Sequence, residues 1–283
     1  MSRGDGIAPA EIVAAVAGRG REIRTPCGDG TMMWHAWGSG PILALLHGGH
    51  GAWSHWIRNV EPLSRHFTVV AADMPGYGDS TMPPEPYSAG SIAEIVARGL
   101  DEITPKGEAY HVAGFSFGGV VGGNVAALAQ ARCASITIVG SNGMGLRRPE
   151  LEPMGSWRRV DDATELRTVH QKNLGILMIA DPAKIDELAI HLQTTNTRRT
   201  FIKSRPISRT GVLREALTRV TSRVNGIWGE RDATAGPWLA DREALLREMH
   251  PGSRFRVIPG AGHWVAYEAA DAFNAALIEL LTT

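Results

Sequence analysis

Gly114-Phe115-Ser116-Phe117-Gly118-Gly119 is the stretch on which the reading of this chain turns. It follows Ala109–Ala113, an apolar run of strand length, and opens a Val-, Ala- and Gly-rich run of helix length. A G-x-S-x-G pattern between strand and helix makes a turn so sharp that the serine takes a strained backbone, and the flanking glycines leave room for it. The hydroxyl then stands at the carboxyl edge of a sheet, beside a helix N-terminus whose dipole favours negative charge. Two plainer readings compete. One is a glycine-rich turn with serine as a helix N-cap. The other is a phosphate loop, but no Lys-Ser/Thr follows the glycines. The continuation Gly122-Gly123 lies inside the helix and suits close helix–sheet packing better than nucleotide binding.

A serine nucleophile needs a base, and the base needs an orienting acid. In a strand–turn–helix setting these follow in the order Ser, acid, His, each just past a late strand. Asp232 lies in Trp228-Gly229-Glu230-Arg231-Asp232, after the run Arg223–Trp228. His263 lies in Pro259-Gly260-Ala261-Gly262-His263-Trp264, after Arg254–Ile258. With ten histidines in the chain, one in that loop is expected by chance; three residue types in order, each at a strand end, are not. Glu230 is the alternative acid, but it sits nearer the strand, and Asp232 is preferred. Acyl transfer also needs donors for the developing oxyanion. The amides of Phe117 and of Gly49, in His47-Gly48-Gly49-His50-Gly51, are the expected pair, with Gly48 second to Gly49. His47, His50 and His55 match no zinc-ligand spacing, so neither metal nor cofactor is expected.

Outward from these motifs, apolar runs alternate with amphipathic ones, the pattern of a parallel sheet covered by helices. Strands are expected at Arg21–Pro26, Thr31–Trp37, Ile42–Leu46, Thr68–Ala72, Ala109–Ala113, Ser135–Val139, Arg223–Trp228 and Arg254–Ile258. Helices are expected near Trp53–Ser64, Ser91–Ile103, Phe117–Ala131, Trp238–Met249 and Ala266–Leu281. The fold class is therefore α/β: a mostly parallel eight-stranded sheet with helices on both faces. Residues 146–215 lack a strong strand run, are broken by Pro149, Pro153, Pro182 and Pro206, and read as a helical cap. It divides the core into residues 1–145 and 216–283. The cap holds 13 Lys+Arg against 9 Asp+Glu, a net charge of +4.

The composition agrees. Of 283 residues, 43% are hydrophobic and 20% charged, which suits a packed globular chain. A formal net charge of zero argues against nucleic acid or an anionic membrane as partner. Two cysteines, Cys27 and Cys133, make no disulfide framework, and no apolar run approaches bilayer length. Ile12–Ala17 reads as a surface helix; Asp5 and Glu11 spoil it as a signal peptide. A cytoplasmic protein is the expectation, with self-association into a homo-oligomer left open.

Taken together, LHGGHGAWSHWIRNV (46–60), ADMPGYGDS (72–80), GFSFGG, WGERD and GHW resemble the α/β-hydrolase superfamily, from about residue 21 to the end. Within it, WSHWIRNV, NLGILMIADPAKIDEL (173–188) and GHWVAYEAADAFN (262–274) resemble the meta-cleavage-product hydrolases, which split C–C bonds in ring-fission products. That group holds an anionic dienoate with polar residues. The resemblance places substrate contacts at Phe115, His55 and Trp264, where the family has asparagine, asparagine and the same tryptophan. Its lid arginine falls at Leu192, with Arg198 and Arg199 nearby. These departures make that side of the expected pocket apolar and favour a small ester as substrate. C–C bond hydrolysis is the second reading and a non-catalytic ligand-binding homologue the third. The cap's excess cations are expected on its solvated outer face rather than steering an anionic substrate.

Overall fold

Every residue of Ile42–Leu46 is buried, because successive side chains enter two different cores. Ile42, Ala44 and Leu46 join one cluster; Leu43 and Leu45 join the other. Such a strand, covered on both faces, needs an unbroken apolar run. It is β3 of an eight-stranded sheet in the computed structural model, which describes residues 7–283. The others are β1 (Arg21–Cys27), β2 (Gly30–Trp37), β4 (Thr68–Asp73), β5 (Tyr110–Phe115), β6 (Cys133–Val139), β7 (Arg223–Gly229) and β8 (Arg254–Ile258). Their order is β1-β2-β4-β3-β5-β6-β7-β8. β1 and β2 pair antiparallel, as do β2 and β4, and every later pair is parallel.

The helices are α1 (Pro9–Gly18), α2 (Val60–Leu63), α3 (Ala89–Ile103), α4 (Phe117–Ala129), α5 (Ala163–Leu177), α6 (Glu187–Arg198), α7 (Ser204–Ser208), α8 (Val212–Leu217), α9 (Leu239–Met249), α10 (Val265–Glu268) and α11 (Ala270–Thr282). α3, α4, α8 and α9 bury their apolar sides with the Ala44/Leu46 cluster, and α2 and α11 with the Leu43/Leu45 cluster. α1 lies on the surface, as expected, with Val16 its buried residue. Arg3 and Asp5 lie outside the described residues.

Two expected helices are broken. Trp53–Ser64 becomes a 3-10 turn, Trp53–Trp56, and the short α2. The last helix is interrupted at Ala269, whose backbone is extended away from helix (φ −130°, ψ 51°). Helical periodicity continues across both breaks, so the sequence pattern alone does not reveal them. Between β6 and β7 the chain forms α5 to α8 and contributes one isolated bridge, Tyr77–Thr200. Leu174, Met178, Ile179, Ala189, Ile190 and Leu192 from this segment join the Leu43/Leu45 cluster, so it is packed onto the core rather than detached. Among the described residues no helix is long and apolar enough to cross a membrane.

Candidate active site

Ser116, between β5 and α4, has φ +51° and ψ −111°. A left-handed serine costs on the order of 1–3 kcal/mol and survives only where its surroundings impose it. Here they do. The Ser116 amide donates to the Val139 carbonyl at 2.8 Å. A Cβ at Gly118 would strike the carbonyls of Leu46 and His47, and one at Gly114 would strike the backbone of Gly118 and Gly119. Both glycines are thus required by close backbone approach, and the serine is turned outward, onto a cavity of about 690 Å³.

His263 reaches Ser116 from the loop after β8. Its Nε2 lies 3.1 Å from Ser116 Oγ, and its Nδ1 lies 2.9 and 3.0 Å from the two carboxylate oxygens of Asp232. Asp232 and His263 are buried. Asp232 Oδ1 also accepts from the Thr234 amide at 2.7 Å and the Thr234 hydroxyl at 2.8 Å. Burial pushes the Asp232 carboxyl up, but the charge and hydrogen bond of His263, joined by Thr234, outweigh it and hold it below its ordinary value. An ionised Asp232 makes Nδ1 the protonated nitrogen and leaves the Nε2 lone pair facing Ser116 Oγ–H. Glu230 instead accepts from the Gly260 amide at 2.8 Å and ties the two loops together on their exposed side.

The loop after β3 closes over the elbow. A Cβ at Gly48 would meet the Phe115 ring at 2.9 Å and Ser116 Cβ at 3.3 Å, while Gly49 lines the cavity beside Ser116 and Phe117. His47 is a fastener of this loop. Its Nε2 accepts from the Met74 amide at 3.0 Å, so Nδ1 donates to the Gly48 carbonyl at 2.8 Å, and burial lowers its pKa to about 4. His50 lines the crevice and is likewise lowered to about 4, by burial and then by Arg158 and Arg205.

Phe115, His55 and Trp264 were expected as substrate contacts, and the structure places them inside the packing. They are 1%, 2% and 0% exposed and do not line the crevice. They pack instead into a wall behind the imidazole, as tilted ring pairs with centroids 4.9 Å apart for Phe115–His263 and 4.8 Å for His55–Trp264. Trp264 Nε1 donates to the His55 carbonyl at 2.9 Å. Leu192 is buried in the core, Arg198 is exposed, and Arg199 pairs with Asp79. Alternation along β5 turns Phe115 into packing and helical phase in α6 does the same for Leu192, which a linear motif match does not register. His55, in the 3-10 turn, and Trp264, in the loop after β8, are buried against one another instead.

The geometry has its counterpart in sequence comparison, for a model of the alpha/beta hydrolase family matches residues 43–276. The chain belongs to this family. As an alpha/beta hydrolase it is 27% identical over 260 residues to the 2-hydroxy-6-oxo-6-phenylhexa-2,4-dienoate hydrolase of Burkholderia cepacia, covering 86% of this chain and 88% of that one. A 118-residue stretch is 35% identical to the pimeloyl-[acyl-carrier protein] methyl ester esterase of Vibrio campbellii, 41% of this chain and 43% of the relative. It is also 28% identical over 258 residues to the dihydrolipoyllysine-residue acetyltransferase component of the acetoin cleaving system of Pseudomonas putida. That match takes in 86% of this chain but spans only 64% of the relative's length. A solved meta-cleavage product hydrolase from Pseudomonas fluorescens IP01 shares the fold, with a TM-score of 0.75 at 19% identity over 92% of this chain and 97% of that one.

Three features in and behind the crevice escaped sequence reasoning. Thr234 holds Asp232 and in turn accepts from Asn142 Nδ2 at 3.2 Å. A second lobe of about 830 Å³ adjoins the first at Gly49 and His50 and is walled by Met154, Trp157, Leu177 and Phe201. The third is Glu268, a buried carboxylate on α10. It accepts from the Gly262 amide at 2.7 Å, the Asp181 amide at 2.8 Å and the Ala180 amide at 3.0 Å. One side chain therefore holds both the residue before His263 and the turn after α5. A glutamate five residues after a loop histidine was the available signal, legible only once the partner segment is known.

Proposed function

We propose that this alpha/beta hydrolase cleaves small carboxylic esters by acyl transfer. Ser116 Oγ attacks the ester carbonyl while His263 Nε2 takes its proton, and Asp232 holds the imidazole tautomer and stabilises the imidazolium that forms. The amides of Phe117 and Gly49 receive the charge developing on the carbonyl oxygen. His263 returns the proton to the departing alcohol, and water then releases the acyl group from Ser116 by the same route. No group beyond these side chains and amides enters the scheme. The observation that carries the reading is the hydrogen-bonded line Ser116–His263–Asp232, at 3.1 and 2.9 Å, ending on a serine forced into a left-handed turn at a cavity wall.

Residues 146–215 act in this reading as the cap that shields the crevice, between core parts 1–145 and 216–283. Phe115, His55 and Trp264 serve as the dry wall that keeps the imidazole in place. C–C bond hydrolysis by the same residues is the second reading, favoured by the likeness to the dienoate hydrolase over 86% of the chain. Ester cleavage is preferred because it asks nothing of positions 55, 115 and 192, which are buried and do not offer the polar anchors of that group. The test pairs a fluorophosphonate probe with turnover of p-nitrophenyl butyrate and of a ring-fission dienoate. Labelling at Ser116 with ester turnover supports the proposal. Turnover confined to the dienoate replaces it with the second reading, and absence of both labelling and turnover leaves a ligand-binding homologue.

A further inference from the structure

The crevice has two unlike ends. One lobe is walled by Met154, Trp157, Leu177 and Phe201 and also by Arg158 and Lys203; the cavity onto which Ser116 and His263 open reaches Arg148 and Arg209, and Arg205 lines both. Arg148, Arg205 and Arg209 come from the loop after β6 and from the α7 region, so no linear motif unites them. Among the described residues none of the three pairs with a carboxylate, although Glu150 and Glu152 line the same cavity. Arg199 and Arg167, from the same cap, are by contrast tied to Asp79 and Glu187.

The cations also repel one another. Arg148 is half-buried, and its pKa is lowered first by desolvation and then by Arg209, with Arg242 and Arg205 adding to it and Asp232 opposing. Arg242 is buried and committed to backbone carbonyls of Trp238 and Arg147, at 2.7 and 2.5 Å. Where Arg148, Arg209 and Arg242 meet there is a recess of about 30 Å³, lined also by Asn142, Ser208 and Thr210. The recess is lined by Met144 and Leu146 as well as by these polar groups, and its cations run from buried Arg242 through half-buried Arg148 to exposed Arg209. Like charges gathered there are unfavourable until an anion joins them. Guanidinium forks match the oxygens of a carboxylate or phosphate.

We propose that this end of the crevice is an anion subsite, and that the substrates of this hydrolase carry a carboxylate or phosphate group remote from the bond that is cut. The substrate part of this statement rests on the ester reading; the anion site does not. It also departs from the expectation that most of the cap's cations serve only its solvated outer face: Arg205 and Arg209 are exposed, Arg148 is half-buried, and all three line the cavity.

Two measurements test it. In the first, adipate and inorganic phosphate are titrated calorimetrically into the Ser116→Ala protein, with and without Arg148→Gln and Arg209→Gln. Binding that weakens about tenfold on substitution, as expected for loss of a charge-assisted contact, supports the subsite, and the tighter of the two probes names the anion. No binding of either, or binding indifferent to both substitutions, overturns it. In the second, half-esters of dicarboxylic acids are compared with neutral alkanoate esters of equal chain length. The expected result is a kcat/KM ratio favouring the half-ester, falling with added salt and falling about tenfold in the double variant. A ratio unmoved by salt and substitution counts against the subsite while leaving ester hydrolysis intact. Anion binding without any ester turnover does the reverse.

Discussion

Ser116 is held at φ +51° by its neighbours rather than by its own preference; Gly118 lets the chain pass close to Leu46 and His47, and Gly114 lets it fold back against Gly118 and Gly119. Under the proposed mechanism Ser116→Ala abolishes fluorophosphonate labelling and lowers kcat by about 10⁶, with the fold unchanged by circular dichroism. Activity within tenfold of the parent protein would remove Ser116 from the mechanism. The carboxylates separate as cleanly. Asp232→Asn keeps the shape but presents the wrong imidazole tautomer and lowers kcat by about 10⁴. Glu230→Gln, which touches only the Gly260 amide, stays within a few-fold; a reversal of the two effects shows that the acid has been misassigned. Ser116, Asp232 and His263 were legible because each sits directly past a strand end, where turn residues interrupt an apolar run. Thr234 was not, since a threonine two residues after an aspartate is common in loops and gains its meaning from the His263 loop across from it.

Elements are fastened to one another by a few buried polar groups. Glu268 receives amides from both the His263 loop and residues 180 and 181, and Trp264 N–H reaches the Met178 carbonyl at 2.7 Å. Arg58 adds a second fastening, lying over the Tyr267 ring at 3.8 Å while pairing with Asp186 at 2.5 Å. Glu268→Gln puts an NH₂ among N–H donors and leaves buried donors unmatched, at about 1–3 kcal/mol. We expect kcat for a neutral ester to fall about tenfold as the His263 loop loosens, with a lower Tm. Glu230→Gln removes an exposed tether from the neighbouring loop and is the control. Equal kcat values in the two variants, with only the Tm lowered for Glu268→Gln, would make Glu268 a purely structural clamp.

At the scale of the whole molecule, one buried acid opposes folding at neutral pH. Asp73 lies at the end of β4, accepts from the amides of Trp53 at 2.8 Å and Asp79 at 2.9 Å, and is nevertheless raised to about 6, because burial outweighs those bonds. Its folded-state pKa stands above its unfolded one, so the folded protein binds the proton more tightly. The associated stability is complete below about pH 4 and is lost as pH rises through 6. A shift of this size corresponds to about 3 kcal/mol. Chemical denaturation of the parent protein should therefore show this contribution declining between pH 4 and 6.5, and Asp73→Asn should flatten that part of the curve. An identical slope in the variant would assign the pH dependence elsewhere.

The sheet, its two-sided cover and the order Ser116, Asp232, His263 were readable without coordinates. All three follow from local rules: apolar runs that alternate between two cores, glycines at strand ends, and a turn too tight for other residues. What the tertiary structure alone decided is which side of each element faces the crevice. Phe115 and His55 match substrate-contact positions and Leu192 the lid-arginine position, yet strand alternation buries Phe115, helical phase buries Leu192, and the 3-10 turn buries His55. Arg148, Arg205 and Arg209 carry no motif and look like surface charge, yet the path of the chain between β6 and β7 brings them to one end of the cavity. Spacing along a chain determines local conformation; proximity across it depends on how loops without periodicity close, and no residue pattern encodes that closure.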